Sequence, residues 1–213
     1  MKPYMIVKQT LDFILALIGM LLLWPFFLII AVVIKSTSKG PVLFRQKRLG
    51  RNKKEFYILK FRTMRTDTPS DMPTHLLQDP DFFITKVGKF LRKTSLDELP
   101  QIINILKGDM SIVGPRPALW NQYDLIAERD KYGANEIKPG LTGWAQVNGR
   151  DELTINLKVS FDSEYLNNMS LWFDLKCTLL TIIKVAKHDG VVEGRTVVGN
   201  YQVTPNKEGS IAE

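Results

Sequence analysis

The hydrophobic pattern has no polar period at first. From Phe13 to Ile34 there are 22 residues without a charge. A straight helix of that length runs to about 33 Å, against about 30 Å for the hydrocarbon core of a bilayer. The block therefore predicts a membrane helix. It is longer than the apolar core of a signal peptide and no small-x-small cleavage site follows closely, so it is expected to stay on the mature chain. Pro25 sits just past its middle, where it removes a helical hydrogen bond and crowds the preceding turn. Two arrangements follow: a single kinked transmembrane anchor, or a re-entrant helix broken at Pro25 that enters and leaves by one leaflet. Lys8 and Asp12 stand four apart near its start, spaced to pair on one helix face.

Gly40-Pro41 ends that pattern, and alternation replaces it. Val42–Gln46 and Phe56–Arg62 predict two short strands, joined through Leu49-Gly50-Arg51-Asn52 as a hairpin. Residues 66–82, with three prolines and several acids, predict an exposed loop. Gly88–Arg92, as a short helix or extended segment, leads to Ser95-Leu96-Asp97-Glu98-Leu99-Pro100-Gln101. Ile102, Ile103, Ile105 and Leu106 then form a buried helix face stopped by Gly108. Pro100 is tolerated only in a first turn, so that helix is expected to begin at Asp97, Glu98 or Leu99. A stiff turn, Gly114-Pro115-Arg116-Pro117, precedes a polar helix over about 118–132 and a Gly-rich loop over 138–150. Trp172, Leu175, Leu179, Ile182, Ile183 and Ala186 mark one face of a closing amphipathic helix. That face either packs on the core, the plainer expectation, or lies at a membrane interface with Lys176, Lys184 and Lys187 at its polar edges. The tail after Gly190 reads as mobile. The fold class is α+β and mainly helical. A membrane segment spans 1–39, a catalytic domain with a β-hairpin and amphipathic interface helices spans 40–190, and a tail spans 191–213.

Composition changes this picture little, and charge changes it more. At 213 residues the chain suits one ordinary domain, and a single cysteine, Cys177, excludes a disulfide framework or cysteine metal cage. The net charge of +7 is concentrated: residues 1–34 carry +1, residues 35–65 carry +10, and residues 66–213 carry −4. A basic stretch directly after an apolar block is drawn to an anionic membrane surface, by roughly 1 kcal/mol per basic residue. Nucleic acid would answer to the same charge, so charge by itself does not choose the partner.

Most catalytic constellations are missing. His75 and His188 are isolated, and there is neither a nucleophile elbow nor a Walker phosphate loop. What remains is carboxylates, arginines and glycines, the means of phosphoryl transfer by positioning and charge neutralisation. Asp97-Glu98 at a helix start reads either as a cap, with Ser95 and Glu98 as a capping box, or as a nucleophile able to form an acyl phosphate. Arg116, between two prolines, suits a fixed grip on phosphate, though a plain salt bridge would use it equally. Lys60 and Arg62 share one strand face and either line a basic cleft or form a solvated edge near headgroups. Gly140, Gly143 and Gly149 allow close backbone approach to a ligand, with Gln146, Asn148 and Arg150 as donors for a nucleotide or sugar.

Three segments together resemble a known family: Lys60-Phe61-Arg62-Thr63-Met64, the block from Thr94 to Gln101 continuing through Leu106 to Pro117, and Lys138-Pro139-Gly140 through Val147-Asn148-Gly149-Arg150. The chain resembles the bacterial sugar transferases that are small monotopic phosphoglycosyl transferases, from the apolar N-terminus to about residue 190. The resemblance implies transfer of a sugar 1-phosphate from a UDP-sugar to polyprenol (undecaprenyl) phosphate, with release of UMP. It implies that Asp97 is the nucleophile and Glu98 its partner, helping with the metal or with proton transfer, with Asp97 and Glu98 as the ligands of Mg2+. Arg92 and Arg116 match phosphate-holding positions, and Lys60 and Arg62 join them as candidates. It also implies a re-entrant helix at the cytoplasmic face of the bacterial inner membrane, with no nucleic-acid partner. Relatives place a serine before the proline where Trp24 stands here, and the larger ones carry an N-terminal transmembrane bundle that is not expected in this chain. Two other classes remain: a non-catalytic membrane-anchored module that binds anionic lipid or nucleic acid, and a glycosyltransferase releasing UDP, for which no Asp-x-Asp pair is present.

Overall fold

The computed structural model describes residues 3–68, 80–149 and 153–187. Arg150, most of the loop expected over 66–82 and the tail expected over 191–213 lie outside the described residues. Among the described residues the fold is mostly helical, with two small two-stranded sheets.

Helix α1 runs from Pro3 to Thr37 as one element, with Pro25 inside it. The break expected at Pro25 is therefore absent. The physical reason is packing on both sides of the proline. Ala16, Met20 and Leu23 pack with Ile102, Ile105 and Met110, while Phe27, Ile30 and Ile34 pack with Phe61 and Leu91. Contacts that hold both halves leave the proline to distort the helix locally without ending it. Pro25 itself faces outward, as do Leu22, Trp24, Phe26 and Ile29.

The hairpin forms as expected. Strand β1 (Leu43–Leu49) pairs antiparallel with β2 (Glu55–Phe61), in a register running from Leu43 opposite Phe61 to Leu49 opposite Glu55. Asn52 and Lys53 take positive φ in the connecting turn. A short α2 (Pro80–Phe83) precedes α3 (Lys86–Lys93), which Thr85 caps by accepting from the Gly88 N–H. Gly88 lies against the backbone after β2, where a Cβ would overlap the Thr63 carbonyl.

Helix α4 (Gln101–Leu106) begins later than expected. Ser95 is left-handed, with φ of 55°, and opens a single 3-10 turn over Leu96–Glu98 that ends before Pro100. Neither Ser95 nor Pro100 makes a side-chain cap bond, so the capping reading of this segment does not hold.

Beyond α4, β3 (Ser111–Val113) pairs parallel with β4 (Gly140–Thr142). Strands of three residues carry too little alternation to be read from sequence. Gly114, Gly140 and Gly143 let these segments meet: a Cβ on Gly140 would overlap the Gly114 amide, and one on Gly143 the Gly114 carbonyl. Of the glycines expected to admit a ligand, Gly140 and Gly143 admit backbone, while Gly149 faces the Leu153 side chain. Between the strands lies α5 (Tyr123–Asp130), shorter than expected, and α6 (Trp144–Val147) follows β4.

Helix α7 (Ile155–Asn167) and helix α8 (Leu171–Lys187) close the domain. The apolar face expected to pack α8 on the core is turned outward: Trp172 is 74% exposed, and Leu175, Leu179, Ile182 and Ile183 are exposed with it. The inward face is Phe173, Asp174, Cys177 and Thr181. Cys177 is fully buried beside Val113, Ile137 and Tyr165, and Thr181 hydrogen-bonds Thr142 across 2.6 Å. That small and polar face satisfies hydrogen bonds that an aliphatic face would leave open.

Candidate active site

The site begins with the hairpin and α4 being tied together. The Asn104 side chain accepts from the Leu59 N–H at 3.0 Å and donates to the Tyr57 carbonyl at 2.8 Å. It thus completes the free edge of β2 and sets the 3-10 turn before α4 against Lys60. Across that junction Lys60 Nζ reaches Glu98 Oε1 at 2.7 Å, and Arg116 Nη2 reaches the same oxygen at 3.1 Å.

Asp97 lies beside this triad and is only 8% exposed. Burial raises its pKa to about 6; Lys60 opposes that rise, the Glu98 charge adds to it, and Arg92 and Arg116 oppose it. Glu98 also suffers burial, which would raise its pKa. The charges of Lys60 and Arg116, and the hydrogen bonds they donate, outweigh that and hold it well below the usual carboxylate range. Two neighbouring carboxylates are thereby driven apart, one fixed as an anion and the other poised nearer neutrality, a pattern associated with functional sites.

Arg92, in the last turn of α3, belongs to this field through its charge on Asp97. Arg62 does not join it in the same way. Its side chain is buried, and Nη2 donates to the Ser38 carbonyl and hydroxyl at 2.9 and 2.8 Å. Lys60 and Arg62, expected on one cleft face, are separated because β2 ends at Phe61 and the chain beyond it turns toward the exit of α1. Gln146 is buried and donates to the Leu141 carbonyl at 3.1 Å, while Asn148 is exposed and donates to the Trp144 carbonyl at 2.8 Å. These bonds brace α6 on its own loop. Arg150 lies outside the described residues.

Sequence reasoning missed a second polar centre. Asp174 of α8 accepts from Tyr4 at 2.8 Å, from Lys8 at 2.5 Å and from Tyr165 at 2.7 Å. Lys8 also stands 3.7 Å from Asp12, the pairing their spacing suggested. Asp12 in turn accepts from the Ser111 hydroxyl at 2.5 Å and the Ile112 N–H at 3.2 Å. The one available signal was charge at the edge of an apolar block, which requires partners wherever it is buried. The Arg129–Asp162 ion pair was missed too, because α7 went unread; Thr154 as its N-cap and the spacing of Ile155 and Val159 would have marked it.

The fold and the site define a small α+β domain carried on a long apolar helix, with a carboxylate pair set among cations. The chain belongs to the bacterial sugar transferase family, whose model matches residues 3–188. It is 43% identical over 189 residues to the UDP-glucose:undecaprenyl-phosphate glucose-1-phosphate transferase of Xanthomonas campestris pv. campestris, covering 85% of this chain and 39% of that protein. It is 39% identical over 185 residues to the UDP-N-acetylgalactosamine-undecaprenyl-phosphate N-acetylgalactosaminephosphotransferase of Aeromonas hydrophila, covering 84% and 43%. Against the uncharacterized sugar transferase EpsL of Bacillus subtilis (strain 168) it is 40% identical over 187 residues, covering 88% and 91%. The chain thus spans about two fifths of the first two relatives and nearly all of the third.

Proposed function

We propose that the protein transfers a sugar 1-phosphate from a UDP-sugar to undecaprenyl phosphate and releases UMP, at the cytoplasmic face of the bacterial inner membrane. The observation that carries this reading is Asp97, a buried carboxylate whose neighbour Glu98 is already neutralised by Lys60 and Arg116. An Asp97 oxygen bonds the β-phosphorus, and the bond from that phosphorus to the bridging oxygen breaks. UMP leaves with the oxygen and its electron pair. A phosphate oxygen of undecaprenyl phosphate then attacks the same phosphorus and returns Asp97 as a carboxylate. Splitting one transfer into two suits a site with a single well-placed nucleophile. Glu98, held as an anion by Lys60 and Arg116, aligns those two cations toward the phosphates.

The donor set fits magnesium. Asp97 and Glu98 offer hard carboxylate oxygens, the donors with which magnesium is held by one or two carboxylates and completed by water and substrate phosphates. When bound, it supplies neutralisation of the diphosphate charge.

The membrane arrangement rests on α1. Its sheltered stripe, from Tyr4 through Lys8, Asp12 and Ala16 to Ile34, lies on the same domain from end to end, and its other faces are apolar and exposed. A helix crossing the bilayer in that embrace would draw charged groups of the domain into hydrocarbon, at roughly 2.5–3.5 kcal/mol or more each. A helix bent at Pro25 so that it stays within one leaflet, or one lying in the plane of that leaflet, avoids this, and the outward apolar face of α8 serves as a second contact with the same leaflet. The relatives differ in the sugar their names carry, so a UDP-hexose and a UDP-N-acetylhexosamine both qualify as donors.

The test is nucleotide release by the detergent-solubilised protein with magnesium, a short polyprenol phosphate and a panel of UDP-sugars, beside Asp97→Asn. UMP from the wild type alone, lost on chelation and restored by Mg2+, is the expected result. UDP in its place would assign ordinary glycosyl transfer. UMP from Asp97→Asn at the wild-type rate would remove the covalent route.

A further inference from the structure

Arg116 owes its place to a backbone held from outside itself. Pro115 and Pro117 carry no N–H, their φ is fixed, and each restricts the residue before it to extended conformations. The two prolines donate nothing to the turn, and three of its carbonyls are instead taken by three different elements. The Gly140 N–H of β4 donates to the Pro115 carbonyl at 2.9 Å. Arg129 Nη1 of α5 donates to the Arg116 carbonyl at 2.9 Å. Arg48 Nη1 of β1 donates to the Pro117 carbonyl at 2.9 Å.

Both arginines are themselves aimed. Asp162 of α7 receives Arg129 Nε at 2.9 Å and Nη2 at 2.6 Å, and both residues are buried. Gln46 Oε1 receives Arg48 Nε at 3.1 Å and Nη2 at 2.6 Å. In each case a guanidinium spends part of its fork on an orienting oxygen and the remaining arm on the turn, which a single ammonium could not do. The Arg116 side chain, by contrast, is 37% exposed and reaches its Glu98 contact from the surface. A half-exposed long side chain is only as well placed as the backbone beneath it.

We infer that Arg48 and Arg129 are positioning residues for Arg116, holding its guanidinium where donor phosphate arrives; the inference rests on the reaction proposed above. Arg48 is oriented by Gln46 and Arg129 by Asp162, and both act through carbonyls of the turn rather than on the substrate.

The test uses the full chain in the UMP-release assay, with thermal unfolding of each variant measured alongside. Arg48→Met lowers kcat/KM for the UDP-sugar roughly ten- to hundredfold, the scale set by misplacing a reacting group by about 1 Å. Arg48→Lys, which keeps one donor for the Pro117 carbonyl, recovers part of that loss. Arg129→Lys keeps the charge opposite Asp162, forgoes the arm on the Arg116 carbonyl, and lowers kcat/KM in the same direction. In an Arg116→Ala background both substitutions change kcat/KM less than about twofold, because residues acting through one group are non-additive. Full losses persisting in that background would overturn the inference, as would unchanged kcat/KM in the wild-type background. Failure of both variants to fold would assign the arginines to the fold alone. A wild type that releases no UMP from any donor would instead remove the reaction itself, a result distinct from all of these.

Discussion

Asp97 is a carboxylate in a place that disfavours its charge, and its behaviour with pH follows from that. With its pKa pushed up to about 6, it is protonated below that value, and a protonated carboxyl cannot attack phosphorus. The expected kcat/KM for the UDP-sugar is level above about pH 7 and falls about tenfold per pH unit on the acid side of 6. Lys60 opposes the rise of the Asp97 pKa, so Lys60→Met moves that acid limb to higher pH; an unmoved limb would detach Lys60 from Asp97. At this scale the family resemblance singles out Asp97, Glu98 and Arg116, which local residue types leave open between a cap or salt bridge and catalysis; the structure brings the three together. Lys60 and Arg62 could not be told apart, because strand alternation puts both on one face and does not say where the strand stops. Gln146, expected as a donor to nucleotide or sugar, donates to the Leu141 carbonyl of its own loop, a bond that local sequence does not reveal.

Among the elements, the contrast between α4 and α8 is instructive. The Ile102 and Ile105 face of α4 packs inward as its periodicity predicts, against Phe56, Ile58 and Ala16. The corresponding face of α8 packs outward. Periodicity identifies a stripe of like residues and is silent on whether protein or lipid covers it. The inner face of α8 is smaller and more polar because Asp174 and Thr181 meet partners from α1, α7 and β4. If the outer face rests in the leaflet, Trp172 lies within reach of acyl chains. In nanodiscs containing brominated lipid, Trp172→Phe should lower the quenchable tryptophan emission. An unchanged quenchable fraction would place α8 in water.

For the whole molecule the decisive feature is that one domain holds α1 near both ends, through Asp174 at Tyr4 and Lys8 and through Arg62 at Ser38. Cysteines introduced as Lys2→Cys and Lys39→Cys, in a Cys177→Ser background, test the consequence. A membrane-impermeant maleimide applied to intact spheroplasts is expected to label neither, and to label both once the inner membrane is opened. Labelling of position 2 in intact spheroplasts would mean a true span. By itself the sequence determined the apolar block, the basic stretch after it and the hairpin, because each is written in residue types at short spacing. Only the tertiary structure decided that α1 continues through Pro25, that Lys60 rather than Arg62 faces Glu98, that Gly140 and Gly143 admit backbone, and that the greasy side of α8 looks out. Each of those depends on partners far away in the chain, and a local pattern records the likeness of neighbours without recording what they meet.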